Sequence, residues 1–170
     1  MRSYNDLNRI YYGGSLNIDC NEFNSLLGTP KHITGSFGCD KNELTSLVGG
    51  PELVDGSYTC SYNQLTDLVG CASHIGRNLY LSHNRITSLV GIHKIIKQCN
   101  GIVLNDYKIK EGGIGLLLID DLKYIEPVGI HDTVSPPFAI IKRYLGTGTK
   151  GMMACSKELI DNGYQNYAKL

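Results

Sequence analysis

Asn21, Asn42, Asn63, Asn84 and Asn105 stand 21 residues apart without a gap, and Gly28, Gly49, Gly70, Gly91 and Gly112 keep the same step. A fixed period of this length forces the chain to build one small unit repeatedly, each burying its apolar side on its neighbours. Apolar columns run between the two polar ones. They are Phe23, Leu44, Leu65, Ile86 and Tyr107; Leu26, Leu47, Leu68 and Leu89; and Ile33, Val54, Ile75 and Ile96. Upstream of each Asn lie Leu16, Phe37, Tyr58 and Leu79, followed two residues later by Ile18, Cys39, Cys60 and Leu81, with Ile102 next in that column.

In Leu79-Tyr80-Leu81, Phe37-Gly38-Cys39 and Tyr58-Thr59-Cys60 two apolar residues flank an outward one. That is the period of a half-buried strand, so each unit is expected to supply one short strand. The Asn follows where the chain must turn inward with unpaired backbone groups, which an amide can both donate to and accept from, in its own unit and the next. The Gly column, with Pro30 and Pro51 after it, marks a second bend where only extended or single-turn structure fits. Asn100 and Lys110 fall in columns that are otherwise apolar, so the fifth unit is expected to be atypical.

Ile75 to Leu89, IGRNLYLSHNRITSL, resembles the leucine-rich-repeat pattern L-x-x-L-x-L-x-x-N-x-L. The short period and the prolines are similar to the bacterial type of that family. The form G-S-(aromatic)-x-C-x-x-N-x-L-T-x-L-V-G resembles repeats of uncharacterised tailed-bacteriophage proteins, as does the closing string KGMMACSKELIDNGYQNYAKL. The resemblance implies an α/β repeat fold: a leucine-rich-repeat solenoid with a parallel strand ladder over residues 14–125. A solenoid exposes its core at both ends, so lids are expected: residues 1–13, with Leu7, Ile10, Tyr11 and Tyr12, and a helical cap over residues 126–170. Gly115 to Ile119 reads as a buried strand of a sixth unit. Ser135 is placed as N-cap of a helix with the stripe Ile140, Ile141, Tyr144 and Leu145. A second helix is expected from Met152 to Asn162 with Met152, Cys155, Leu159 and Ile160 on its buried face.

Composition narrows the function. Sixteen basic residues balance sixteen acidic ones, so nucleic acid and anionic membrane find no attractive field. The longest apolar run, Ile114 to Ile119, is far short of the ~20 residues of a span, and residues 1–14 hold no signal-peptide core; a cytoplasmic protein is expected. Gly146, Gly148 and Gly151 match G-x-G-x-x-G, but a helix rather than a strand is expected to enter them, which argues against a nucleotide loop. The six cysteines show no metal-ligand spacing with any histidine, so they read as reduced thiols, Cys39 and Cys60 in the core. Cofactor and metal are expected to be absent. His131-Asp132 reads as a solvated loop pair, and Cys155 as a nucleophile would need a domain larger than the segment after the repeats.

The outward face of the strands remains. It carries Asn17, Gly38, Thr59 and Tyr80; then Asp19, Asp40, Ser61 and Ser82; then Cys20, Lys41, Tyr62 and His83; and Glu22, Glu43, Gln64 and Arg85 past the Asn column. The early units are acidic although like charges at ~4.8 Å repel by about 1 kcal/mol in water, and folding gives no evident reason for them. The later ones offer Tyr and Arg, residues enriched at interfaces. The expectation is a non-catalytic module that binds another protein through a concave strand face formed by Asp19, Glu22, Asp40, Lys41, Glu43, Tyr62, Gln64, Tyr80, His83 and Arg85. If the phage resemblance holds, the partner is a host protein. A small enzyme built on the C-terminal segment, or a protein that self-assembles through an edge strand, are the alternatives; the oligomeric state stays open.

Overall fold

Two ladders of very short parallel strands organise the computed structural model, which describes residues 11–128 and 134–170 and is an α/β structure with few helices. Strands β1 (Tyr11–Tyr12), β3 (His32–Ile33) and β5 (Leu53–Val54) form one ladder, and β2 (Leu16–Asn17), β4 (Phe37–Gly38) and β6 (Tyr58–Thr59) the other. Both ladders meet in β7 (His74–Tyr80). Every pairing up to β7 joins residues 21 apart, as in Leu16, Phe37, Tyr58 and Leu79, so the sequence step is the strand register. Next come β8 (Ser88–Leu89), α1 (Ile92–Ile95), β9 (Gln98–Leu104), β10 (Glu111–Gly112) and β11 (Tyr124–Pro127). The chain ends with α2 (Pro136–Arg143) and α3 (Gly148–Asp161). Leu7 and Ile10 of the expected N-terminal lid, and the pair His131-Asp132, lie outside the described residues.

The inward columns make one core in which Phe37, Tyr58, Leu79, Cys39, Cys60, Leu44, Leu65 and Leu47 are fully buried. Gly70 shows why the glycine column exists. Its φ is +87°, and an added Cβ would stand 2.4 Å from the Val48 nitrogen of the preceding stretch. The asparagines act as expected, with one correction: they reach back to the preceding stretch, not forward. Asn63 Nδ2 donates to Cys39 O at 2.9 Å and to Cys60 O at 3.2 Å, while its Oδ1 accepts from Leu44 N at 3.1 Å. Asn42 and Asn84 repeat the arrangement.

Among the described residues Tyr58 is the one core aromatic with a hydroxyl, and that hydroxyl has no partner beyond the weak Cys39 thiol; burial first, then the charges of Cys39, Cys71 and Cys60 and the Cys39 contact, push its pKa up. Because an unpaired buried hydroxyl costs desolvation without return, Tyr58→Phe is expected to leave stability unchanged or raise it by up to about 1 kcal/mol. Chemical denaturation of the two proteins checks this, and a loss of stability would show that the thiols satisfy the hydroxyl.

The fifth stretch departs from the 21-residue step. Leu79 pairs with Ile102 and Tyr80 with Val103, a step two residues longer, and Ile75 pairs with Cys99. The extra chain lies between Gly91 and Gln98, where α1 makes its single turn. Ile102 therefore stands beside Leu79 rather than Leu81, and Cys99 takes the place expected for Ile96, although Ile96 is buried. Tyr107 is exposed and Ile109 is buried instead. The same slip removes Asn100 and Lys110 from the inward columns. Asn105 is displaced too: its Oδ1 accepts from His83 N and its Nδ2 donates to Val128 O.

Two C-terminal expectations need correction and a third holds in position. Ile114–Leu118 is a buried 3-10 turn rather than a strand, because Gly112 and Gly113, both at positive φ, fold the chain tightly there; the strand that adds to the sheet is β11, paired with β9. An apolar run buried on all sides has no period to tell strand from turn. Ser135 stands at the N-cap of α2 as expected, with Pro136 at the first helical position, although its side chain makes no capping bond; its backbone nitrogen donates to the buried Asp106 carboxylate at 2.6 Å. Finally, α3 starts at Gly148, and Ile160 is 53% exposed, so its buried face is Cys155 and Leu159 with Met152 at the edge.

Candidate functional site

After each strand of the second ladder the chain reverses into the column Asn, exposed at Asn21 and buried at Asn42, Asn63 and Asn84, through a residue in the left-handed backbone region. Cys20, Lys41, Tyr62 and His83 have φ of 56°, 52°, 57° and 58°. For residues other than Gly, Asn or Asp this conformation costs about 1–2 kcal/mol, so large side chains here oppose local stability. Backbone bonds hold the positions in place: Lys41 N donates to Ser61 O and Tyr62 N to Ser82 O. The side chains project outward as a column. The Tyr62 and His83 rings stack at 4.1 Å with 13° between planes, and Lys41 Nζ lies 5.7 Å from the Tyr62 centroid. Tyr62 remains 51% exposed within this stack.

A second column lies beside the first. Glu43 N donates to Phe23 O, Gln64 N to Leu44 O and Arg85 N to Leu65 O, which lines up Glu22, Glu43, Gln64 and Arg85. Glu22, Glu43 and Arg85 are exposed; Gln64 is half-buried. The structure thus sets Lys41, Tyr62 and His83 side by side in one column and orders Glu22, Glu43, Gln64 and Arg85 along the next, with the two carboxylates on the first two stretches.

Asp19 and Asp40 have a role the sequence did not show. Asp19 Oδ1 accepts from Asp40 N at 2.6 Å, and Asp40 Oδ1 accepts from Ser61 N at 2.5 Å. Folding does ask for these carboxylates: they satisfy backbone donors that the two-residue strands leave unpaired. Ser61 and Ser82, expected outward in the same column, are buried. Burial, with the Asp19 charge adding, holds the Asp40 carboxyl above its ordinary value, against the Ser61 bond and Lys41. A raised carboxyl pKa means that the fold prefers the protonated form. The contribution of Asp40 is therefore fully present below 3.8 and is lost as pH rises through its folded value. Asp40→Asn keeps an acceptor for Ser61 and cannot ionise. Its stability relative to the parent is expected to increase as pH climbs from 3.8 toward neutrality, as read by thermal unfolding across that range; a constant difference would rule this out.

Tyr80 lies half-buried on the same side, and its hydroxyl accepts from Asn78 Nδ2 at 3.3 Å. Sequence reasoning missed its neighbour Tyr124. The Tyr124 ring covers Gly101, where an added Cβ would lie 2.3 Å from ring carbon Cζ. Burial, with Tyr80 and Glu126 adding, pushes its hydroxyl above the ordinary value. The one signal was Gly101 in the middle of β9, since a glycine inside a strand marks a close approach by another group.

Other candidates fare worse as chemistry. Gly148 and Gly151 lie inside α3 and α2 precedes the segment, so no strand delivers a phosphate loop. Cys155 is fully buried and burial pushes its thiol to about 11, leaving almost no thiolate. All six cysteines are free thiols, five of them buried and Cys20 exposed. Among the described residues no three His, Cys, Asp or Glu side chains could hold a metal ion, and no helix is long and apolar enough to cross a membrane. An open groove of about 400 Å³ runs along α3 between Met153, Ile160, Ile114 and Leu170. Comparisons with protein-family models, with curated proteins and with solved structures find no match.

Proposed function

We propose that this chain is a leucine-rich-repeat solenoid with a helical cap that acts without catalysis, binding another protein through the outward face of its strands. The support for the solenoid is the equality of sequence step and strand register from Leu16 to Leu79. One observation carries the functional reading: Lys41, Tyr62 and His83 occupy left-handed backbone positions that Asn or Gly would fill at lower cost, and their side chains stack outward. Backbone strain retained for large exposed side chains points to a surface selected for contact. Aromatic rings with an adjacent Arg85 suit a protein partner better than a small molecule, because the column is exposed and has no enclosing walls. Glu22 and Glu43 on the first two stretches favour a partner with a basic flank.

The phage-like motif form makes a host protein in the bacterial cytoplasm the proposed target, and modulation of that protein the proposed role. Affinity capture from the producing or infected cell, with partners identified by mass spectrometry, tests it. A stoichiometric partner retained by the parent, lost by Tyr62→Ala with Arg85→Ala and retained by Lys31→Ala on the other ladder is expected. Retention by the parent and both variants moves the site to the groove along α3.

A further inference from the structure

Cys39 and Cys60 stand opposite each other at the exit of the second ladder. The pairs Phe37–Tyr58 and Gly38–Thr59 set the register, and it runs on without a slip, because Cys39 N donates to Thr59 O at 2.8 Å and Lys41 N to Ser61 O at 2.9 Å. Both side chains are fully buried. Each thiol donates to a carbonyl of the next stretch, Cys39 Sγ to Thr59 O at 3.3 Å and Cys60 Sγ to Tyr80 O at 3.4 Å. A hydrogen bond between the two thiols, then burial, then the Cys39 and Asp40 charges push the Cys60 thiol well above its ordinary value. The other cysteines have no such facing partner. Cys99 is opposite Ile75, Cys71 precedes β7, Cys155 lies in α3, and Cys20 is exposed.

Facing residues on adjacent strands have Cα atoms about 4.8 Å apart, inside the roughly 4.4–6.8 Å that a disulfide spans. On parallel strands, however, the two Cα–Cβ bonds run side by side, so the Cβ atoms keep about that separation, while a relaxed bridge draws them to about 3.8 Å. A bridge here can form, but it is strained and easily reopened. The folded protein also keeps oxidants out. Neither residue reaches the surface, and a thiol with a raised pKa supplies little of the thiolate that attacks a disulfide. Closure therefore has to happen while the second and third stretches are transiently open.

We propose that Cys39 and Cys60 are a redox pair, a dithiol at reducing poise that closes to one labile cross-strand disulfide when the stretches open in the presence of a small-molecule disulfide such as oxidised glutathione. One cysteine thiolate attacks the glutathione disulfide, which releases one glutathione thiolate and leaves a mixed disulfide on the protein. The second cysteine thiolate then displaces the remaining glutathione. Both cysteines are oxidised, their two protons end on the two released glutathiones, and one glutathione disulfide is reduced. Closure draws the two strands together by about 1 Å two residues before Lys41 and Tyr62. The spacing of that outward column thus follows the redox state of the pair beneath it. The bridge itself does not depend on the column binding a partner.

Incubating the folded full chain with oxidised glutathione, with and without urea just below its unfolding transition, tests this. Samples are acid-quenched, alkylated and mapped by peptide mass. The Cys39–Cys60 bridge is expected as the main protein disulfide, forming at least about tenfold faster with urea because opening limits the rate. After removal of urea the bridged protein should keep the circular dichroism spectrum of the dithiol form. Transfer in the same urea to a glutathione buffer of cytosolic poise should reopen at least about nine-tenths of it, as for a strained bridge. Four results would each overturn the proposal: no Cys39–Cys60 bridge in the presence of urea, a main bridge between other cysteines, a bridged protein without the native spectrum, or a bridge that persists at cytosolic poise.

Discussion

Asn63→Ala is expected to lower stability by about 2–4 kcal/mol, a drop of roughly 5–15 °C in the unfolding temperature of a chain this size. The amide is buried and serves two adjacent stretches at once. Its loss leaves Leu44 N without the oxygen at 3.1 Å, and it takes one of two donors from the Cys39 and Cys60 carbonyls, which Asn42 and Asn84 also reach. Asn63→Asp separates the roles. A carboxylate still accepts from Leu44 but directs an anionic oxygen at two carbonyls, so it should be as damaging as alanine at neutral pH. Protonation restores a donor, so its stability should recover as pH falls. Scanning calorimetry at several pH values checks both, and an Asn63→Ala protein that melts with the parent would place the amide outside the network.

The parts of the fold legible in the sequence are those fixed by residue type at a constant step. Asn and Gly columns specify backbone hydrogen bonds and left-handed turns that few other residues can make, so their spacing transfers directly into strand register. That the fifth stretch is atypical was legible from Asn100 and Lys110, but its register was not, for the complementary reason. Its Asn105 and Gly112 keep their numbers while α1 lengthens the bend and the strand slips, so the count alone aligned Ile102 with Leu81 when its neighbour is Leu79. Apolar residues are interchangeable across such a slip; only the outward turn of Tyr107 and the burial of Ile109 reveal it. On the candidate face, residue types identified Tyr62, His83 and Arg85. They could not separate carboxylates spent on backbone donors, Asp19 and Asp40, from the exposed Glu22 and Glu43, because that depends on where two-residue strands end. Tyr124 stayed hidden since its place depends on β11 pairing with β9, far beyond the regular period.

The left-handed column lets stability and binding be pulled apart. Replacing Lys41, Tyr62 and His83 together by Asn puts a residue suited to φ near +55° at each position and removes the stack. Relief of strain, about 1 kcal/mol or more per site, opposes loss of the ring stack and the cation over it, about 0.5–1.5 kcal/mol for each contact. The triple variant is therefore expected to unfold at the parent temperature or above it. Partner affinity should fall at least about a hundredfold, since two or three central side chains commonly carry that much of an interface. A general destabiliser would lower both quantities, and a bystander column neither. Tyr80→Ala with Arg85→Ala extends the test along the face, while Glu22→Gln with Glu43→Gln should chiefly slow association and flatten its salt dependence. Association and dissociation rates at two salt concentrations, beside thermal unfolding, distinguish these outcomes. A triple variant that binds like the parent while unfolding later would mean that the strain serves no contact on this face, and the groove along α3, with Met153 and Ile160 exposed, would be the surface to vary next.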